Sequence, residues 1–422
     1  MSTILLHGAG KEAAAAASHF VGQGLTPLLY VDGDGSIAGT KSVAYDEARR
    51  ALPGAIYLRS PGVQPNNPLA AEAARTAKLA TTPTGYWLVN HAPEGAITVT
   101  GTKGKSTTTA LLSSVLQAAG LKSAVYGNIG SPPLTASPVT ETHPMIEVSS
   151  YMMHDLPKTD HLHLVTSLFK EHTDWHGSEA SYRAAKLRPF RHKQPARGVA
   201  PRSVIEEEQL PPSVIAADER VRDDGHSFVI EGVNIDPGPR SLGFHGGPLR
   251  AALRLSLAAA VDIVPVPVLK DAAEQAARAW RGLPSRQHIL PTTDGRLWVD
   301  DALATIPEAT ITALDRFSHR AVCLILGGAD RGQNFERLVK KLEARSQHRA
   351  FAFGPTSAKF QSPQIEHVLD FETAIKKSAD TCPVDGVILF SPAAPSSAPF
   401  QTFQERSAVF AAFSRSVKNS LS

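Results

Sequence analysis

The sequence predicts an α/β protein built mainly from parallel sheets. Three observations carry that expectation. Short β-branched or apolar runs alternate with helix-like runs throughout the 422 residues, the pattern of repeated βαβ units. Two strand-to-helix turns are glycine-rich, Gly8-Ala9-Gly10 and Gly101-Thr102-Lys103-Gly104. The length suits about three domains of ordinary size.

Thr3–Leu6 reads as a strand, Gly8-Ala9-Gly10 as a turn, and the alanine-rich run Lys11–Val21 as a helix. Leu28–Val31 is the next strand and ends at Asp32. This opening is Rossmann-like. Ala13 stands where the dinucleotide fingerprint has its third glycine, so the turn reads equally as nucleotide-binding or as a plain helix entry. Ala55–Leu58 is a further strand, followed by Ser60-Pro61-Gly62-Val63, and Pro and Gly punctuate Thr81–Gly85. A first domain over residues 1–91 is expected.

A central domain over 92–282 opens with the most informative segment. The β-branched run Ala96–Thr100 enters the glycine-spaced turn, and Lys105-Ser106-Thr107 starts a helix over Ser106–Ala119. Gly101 and Gly104 let backbone N–H groups approach phosphate oxygens, and the helix N-terminus adds its positive dipole end. In such a loop the lysine reaches the β- and γ-phosphates and the serine hydroxyl binds Mg²⁺. Val99 replaces the first glycine of the full pattern, so the loop is a shortened P-loop. An ATP-binding, P-loop ATPase-like domain with a mostly parallel sheet is therefore predicted.

Met145–Ser150 is a strand run carrying Glu147. A carboxylate at a strand end beside a phosphate loop is either a Mg²⁺ ligand or an exposed terminal residue. Leu164–Leu168 reads as a strand, and after it His172 and Asp174 suit a metal, a phosphate or a purely structural role. Lys186, in the helix-like run Ser181–Leu187, reads from pattern alone as a solvated lysine. Lys193–Pro212, rich in Pro and charge, reads as loop. A third domain over 283–422, again Rossmann-like, is expected from strands Leu297–Val299, Val322–Leu326, Ala350–Phe353 and Val387–Phe390.

Composition narrows the function. The 43 basic and 40 acidic residues leave a net charge of +3, which argues for no nucleic-acid partner. No apolar run approaches membrane-spanning length and the first residues lack a signal-peptide pattern, so no membrane association is expected. Cys323 and Cys382 lie in or beside apolar segments and read as reduced, buried thiols of a cytoplasmic protein.

Taken in order, these segments resemble the Mur ligases of peptidoglycan synthesis, and within them the glutamate-adding branch. The resemblance spans nearly the whole chain. It rests on Gly8–Glu12, Ser60–Pro68, the phosphate loop, Gly127–Gly130, Glu147–Tyr151, Glu171–Asp174 and Tyr182–Lys186, then on Gly282–Arg286, Asp300-Asp301, Ala304-Thr305, Leu326–Gly328 and Ser391–Ala393. It implies an ATP- and Mg²⁺-dependent ligase, a cytoplasmic monomer, that joins UDP-N-acetylmuramoyl-L-alanine to glutamate through an acyl phosphate. Gly8, Gly10 and Lys11 would lie near the substrate diphosphate, Asp32 near uracil, and Asn128 against the substrate. Gly101–Thr107 would hold ATP, with Arg286 and Asp301 contacting the nucleotide and its ribose. Ser106, Glu147 and His172 would bind Mg²⁺. Lys186 would be carbamylated and help hold a metal. Lys105, Glu147, His172 and Lys186 would form the catalytic set. Thr305, Arg331, Ser396 and Phe403 fall where glutamate is held.

The chain departs from the common form at four points. Lys103 replaces an asparagine, Lys170-Glu171 replaces the usual pair before His172, and Arg331 stands where lysine is frequent. His245-Gly246-Gly247 lacks the asparagine that contacts adenine. Lys103, Glu171–Ser178, Asp330–Gly332 and Ala393–Ser396 are closer to the branch that adds L-glutamate. The alternatives are the D-glutamate-adding enzyme, a related acid–amino-acid ligase with another acceptor, and a non-catalytic nucleotide binder.

Overall fold

Ile4–His7 is a run of four buried residues, as expected for a strand covered on both faces. In the computed structural model it is the central strand of a five-stranded sheet. The structure describes residues 2–136, 138–238 and 247–416; His245 and Gly246 lie outside them. The strands run in the order Lys41–Ser42, Leu28–Tyr30, Ile4–His7, Ile56–Arg59, Leu79–Thr81, all parallel. Strand order reverses beside Ile4–His7. Ligands of such sheets sit at the carboxyl ends of the strands flanking that point, and here these ends lead into Gly8 and Ser60.

A second parallel sheet runs Val214–Ala216, Gly198–Ala200, Leu162–Val165, Ile97–Thr100, Met145–Glu147, Val125–Gly127. Its register sets Val99 opposite Glu147 and Thr100 opposite Val165. Three carboxyl ends thus converge on the phosphate loop. The strand expected over Leu164–Leu168 stops at Val165, because Thr166 and Ser167 turn their polar groups onto the loop instead. Lys193–Pro212 is not all loop: it contains the strand Gly198–Ala200 and the helix Arg202–Glu208. Val199, Ala200 and Val204 are buried, and that burial outweighs the local Pro and charge content. A small antiparallel sheet, Arg222–Asp223, Phe228–Ile230 and Val233–Ile235, follows.

The last sheet runs His288–Leu290, Leu297–Asp300, Val387–Phe390, Val322–Gly327, Arg349–Phe353, Ile365–His367. Only the edge strand His288–Leu290 is antiparallel. Hydrophobic clusters cover both its faces, one around Leu324 and Phe317, the other around Ile325, Phe390 and Phe410. Cys323 and Cys382 are free, buried thiols of the second cluster.

One compact unit contains residues to Pro237 and Pro248–Arg278; the bulk of the second is Ala279 onward. Within the first, the sheet around Ile4 and the sheet around Ile97 share a core. Trp87 and Leu88, from the helix Pro83–Asn90, belong to one cluster with Phe20, Leu58, Ile146 and Met153.

Arg59 joins the two sheets electrostatically. Its side chain is 1% exposed. It pairs with Asp155 through Nε, and its other nitrogens donate to the carbonyls of Pro61 at 3.1 Å, Val63 at 2.8 Å and Tyr151 at 2.8 Å. Removing the guanidinium takes this donor from three carbonyls and from one oxygen of Asp155, whose other oxygen keeps its bond to His154. Arg59→Ala is expected to lower stability by about 3–5 kcal/mol, read as an early midpoint in urea unfolding. A loss below 1 kcal/mol would show that water replaces the guanidinium.

Candidate active site

The phosphate loop is held in shape before any ligand arrives. Gly101 has φ +138°, and a Cβ there would lie 2.0 Å from Thr166 Oγ1, so only glycine fits. Gly104 has φ +88° and opens the 14-residue helix Lys105–Ala118 without a capping side chain. The first N–H groups of that helix are therefore open to an anion. Thr102 N donates to Ser167 O at 2.7 Å and Lys103 N to Ser167 Oγ at 3.0 Å. Thr166 Oγ1 donates to Lys103 O at 2.6 Å. Thr102 Oγ1 shares a 2.9 Å bond with Tyr182 OH. Lys105 Nζ folds back onto Gly101 O at 2.9 Å and Thr102 O at 3.0 Å. Ser106 is buried and Thr107 half-buried. Lys103 is ion-paired with Glu171.

Beside the loop, Glu147 ends its strand facing inward, not outward as the plainer sequence reading allows. Asn128 Nδ2 donates to its Oε1 at 2.8 Å. Its Oε2 is buried and has no hydrogen-bond partner among the described residues. A buried, oriented carboxylate oxygen with no donor suits a hard cation. No group of three His, Cys, Asp or Glu side chains gathers around a metal position among the described residues. Mg²⁺ commonly takes one or two protein carboxylates and completes its shell with water and nucleotide phosphates, so the unpartnered Oε2 of Glu147 suits it.

Lys186 corrects the pattern reading, for it is buried rather than solvated. The helix Glu179–Lys186, capped by Ser178 Oγ accepting from Ser181 N at 3.0 Å, turns Tyr182, Ala185 and Lys186 inward. Lys186 is 1% exposed, and its Nζ lies 5.1 Å from the Tyr182 ring centroid. Its Nζ donates to Thr100 Oγ1 at 3.4 Å. Burial, reinforced by the charge of Lys105, pushes its pKa down to about 6 against the pull of Glu171 and Glu147. At neutral pH the group is chiefly an uncharged amine, and so a nucleophile. His172 is held at φ +52°. Its Nδ1 bonds Tyr151 OH at 3.1 Å, and its Nε2 lies 3.7 Å from Glu171 Oε2. Burial and the surrounding lysines lower its pKa, although Glu171 acts the other way.

The carboxyl edge of the first sheet completes the site. Gly8 has φ +88°, and a Cβ there would sit 2.9 Å from Ser60 Oγ. Gly10 precedes the helix Lys11–Gly22 and supplies no capping side chain. Ser60 Oγ is buried without a partner among the described residues. Asp32 accepts from His7 Nε2 at 2.8 Å, Tyr30 OH at 2.7 Å and Asn67 Nδ2 at 2.9 Å. Burial alone would raise the Asp32 carboxyl, but these donors hold it below the usual range. One cavity of about 620 Å³ is lined by Gly10, Lys11, Ser60, Lys105, Asn128, His172 and Lys186. Sequence reasoning assigned no role to Ser60, Arg59, Tyr151 or Tyr182. The Ser-Pro-Gly turn after a strand was a signal for the first; the others depend on contacts distant in sequence.

In the second unit, Thr305, Arg331 and Ser396 lie in the segments that leave the carboxyl ends of Leu297–Asp300, Val322–Gly327 and Val387–Phe390. Buried Arg406, not singled out from sequence, draws those segments together. It donates to Gly327 O at 3.3 Å, Ala302 O at 3.4 Å and Ala394 O at 3.4 Å. Phe403 begins the helix Phe403–Ser416 and packs on the adjacent cluster. Arg286 is exposed in the turn Leu283–Arg286. Asp301 is buried, accepting from Ser391 Oγ at 2.7 Å and Gln287 N at 3.1 Å. Burial pushes its pKa up to about 7.

Comparison with known proteins identifies the family and the fold. Residues 99–208 match the Mur ligase middle domain. The chain is 31% identical to the UDP-N-acetylmuramoyl-L-alanine–L-glutamate ligase of Micromonospora sp., over 97% of this chain and 95% of the relative. It is 32% identical to the enzyme of that name from Salinispora tropica, over 97% and 96%. The MurF ligase of Thermotoga maritima, solved in complex with ADP, shares the fold with a TM-score of 0.58 at 16% identity, over 92% of this chain and 94% of that one.

Proposed function

The chain belongs to the Mur ligases, on their glutamate-adding branch, and from that premise we propose that it joins UDP-N-acetylmuramoyl-L-alanine to L-glutamate. It is an ATP-dependent amide-forming ligase of peptidoglycan precursor synthesis. The observation that carries the reading is the single cavity bordered by both Lys11 with Ser60 and Lys105 with Lys186. A sugar nucleotide bound at the first pair extends toward a triphosphate bound at the second.

A carboxylate is a poor electrophile. Its oxygen attacks the γ-phosphorus, ADP departs, and an acyl phosphate forms. The glutamate amine then attacks the acyl carbon, and inorganic phosphate leaves as the amide forms. Lys105 moves from its loop carbonyls to the β- and γ-phosphates and offsets the charge that develops there. Ser106, Glu147 and His172 would hold Mg²⁺, which would supply charge neutralisation on the phosphates. The uncharged amine of Lys186 would add to CO₂ and lose a proton, and the resulting carbamate would be a further carboxylate to hold the metal. The helix N-terminus at Gly10, with Lys11 and the unpartnered Ser60 hydroxyl, takes the diphosphate. Asp32 accepts the uracil N–H. Asn128 contacts the substrate while steadying Glu147.

Arg286 takes the nucleotide. Asp301 reaches a ribose hydroxyl once Ser391 releases it. Thr305, Arg331, Ser396 and Phe403 hold glutamate, with the planar fork of Arg331 suited to one of its carboxylates. The specificity named for the relatives supports the L-isomer. We place the protein in the cytoplasm as a monomer; no helix among the described residues is long and apolar enough to cross a membrane.

Phosphate release from ATP with UDP-N-acetylmuramoyl-L-alanine and each glutamate isomer tests this. Turnover is expected with L-glutamate and at least 100-fold less with D-glutamate. The reverse preference would move the protein to the D-adding enzymes, and no turnover with either would point to another acceptor.

A further inference from the structure

Tyr151 lies in the cavity wall with His172, and no step described above uses it. Its hydroxyl is 3.1 Å from His172 Nδ1. Its ring stacks on Trp175, with centroids 4.4 Å apart and planes at 25°. Trp175 is tied in turn by Nε1 donating to Gly62 O at 3.3 Å, and the Tyr151 carbonyl accepts from Arg59 at 2.8 Å. The phenol is therefore braced from behind and through its backbone. Opposite it, His172 occupies a left-handed conformation at φ +52°, which a non-glycine residue keeps only where its surroundings dictate it.

We propose that Tyr151 is a positioning residue for His172, its hydroxyl holding Nδ1 so that the lone pair of Nε2 is presented to the divalent cation. This rests on the reading of His172 as a metal ligand. The chemistry is specific to a hydroxyl. A neutral imidazole that binds metal through Nε2 carries its proton on Nδ1, and that N–H needs an acceptor. Tyr151 O accepts it while the phenolic hydrogen turns elsewhere. Without metal the same hydroxyl can donate to Nδ1 instead, so the contact survives both tautomers. A phenylalanine would retain the stacking on Trp175 and the bond from Arg59, and lose only this function.

The test is Mn²⁺ binding, followed by electron paramagnetic resonance with a non-hydrolysable ATP analogue present. Wild type, Tyr151→Phe and His172→Ala are compared, each first shown to melt within a few degrees of wild type. Tyr151→Phe is expected to weaken one Mn²⁺ step by about 10- to 100-fold, the usual effect of deleting a group that orients a metal-binding histidine. If Tyr151→Phe binds Mn²⁺ within twofold of wild type while His172→Ala binds it far more weakly, the role of Tyr151 is overturned and that of His172 stands. If His172→Ala itself binds like wild type, the metal-ligand reading of His172 fails and this inference falls with it.

Discussion

Lys105→Ala is expected to reduce kcat on the order of 10³-fold, equivalent to about 4 kcal/mol of transition-state stabilisation, with the melting temperature unchanged. The separation of the two effects follows from the loop. Lys105 Nζ bonds two carbonyls of its own turn, but the turn is also held by Thr166, Ser167 and Tyr182. Loop geometry therefore survives the substitution, and what is lost is a positive charge where negative charge develops. Phosphate release together with thermal unfolding measures both. Turnover like wild type would remove Lys105 from the reaction.

Lys186→Ala is expected to be inactive, below about 10⁻³ of wild-type kcat if removing its metal-holding oxygens is at least as damaging as removing one oxyanion donor. Formate or acetate should restore part of the activity. A lysine that is 1% exposed, lies beside a second lysine and has its pKa pushed down to about 6 is an unfavourable resident of this wall. Burial beside Lys105 disfavours an ammonium despite the pull of Glu171 and Glu147, and a carbamate would resolve the conflict by reversing the sign of the charge next to Lys105. A short carboxylate can occupy the space that alanine vacates. In Lys186→Met the side chain fills that space, so it is expected to be inactive and not rescued. The sign of the stability effect is also set. The folded pKa lies below the ordinary lysine value, so the unfolded chain binds more protons between about pH 6 and 10.5, and stability contributed by this group rises with pH across that window. Lys186→Met is accordingly expected to melt higher than unmodified wild type at pH 7, by differential scanning calorimetry. Rescue of Lys186→Met by acetate equal to that of Lys186→Ala would contradict the carbamate role.

Much of the site was legible because its chemistry is local. Gly101, Gly104, Lys105 and Ser106 lie within six consecutive residues, and each has a reason to be where it is that needs only the backbone of a strand-turn-helix. The same holds for Gly8 and Gly10. Lys186 was the opposite case. Its helix pattern says which residues share a face but not which face is covered; here the covered face is the one on which Tyr182 meets Thr102. Leu164–Leu168 was overextended for a related reason. The run is apolar enough to continue as a strand, but Thr166 and Ser167 are taken by the phosphate loop.

The sequence by itself determined the α/β class, the alternating strands, the two glycine turns and the family resemblance, because period, turn chemistry and contiguous motifs are properties of neighbouring residues. Only the tertiary structure decided the state of each side chain. It buried Lys186 beside Lys105, left Glu147 Oε2 and Ser60 Oγ without partners, set Arg59 and Arg406 as joints between segments, and placed Tyr151 against His172. Each of these depends on which groups distant in the chain share one volume, and therefore on desolvation and charge proximity, which no local pattern encodes.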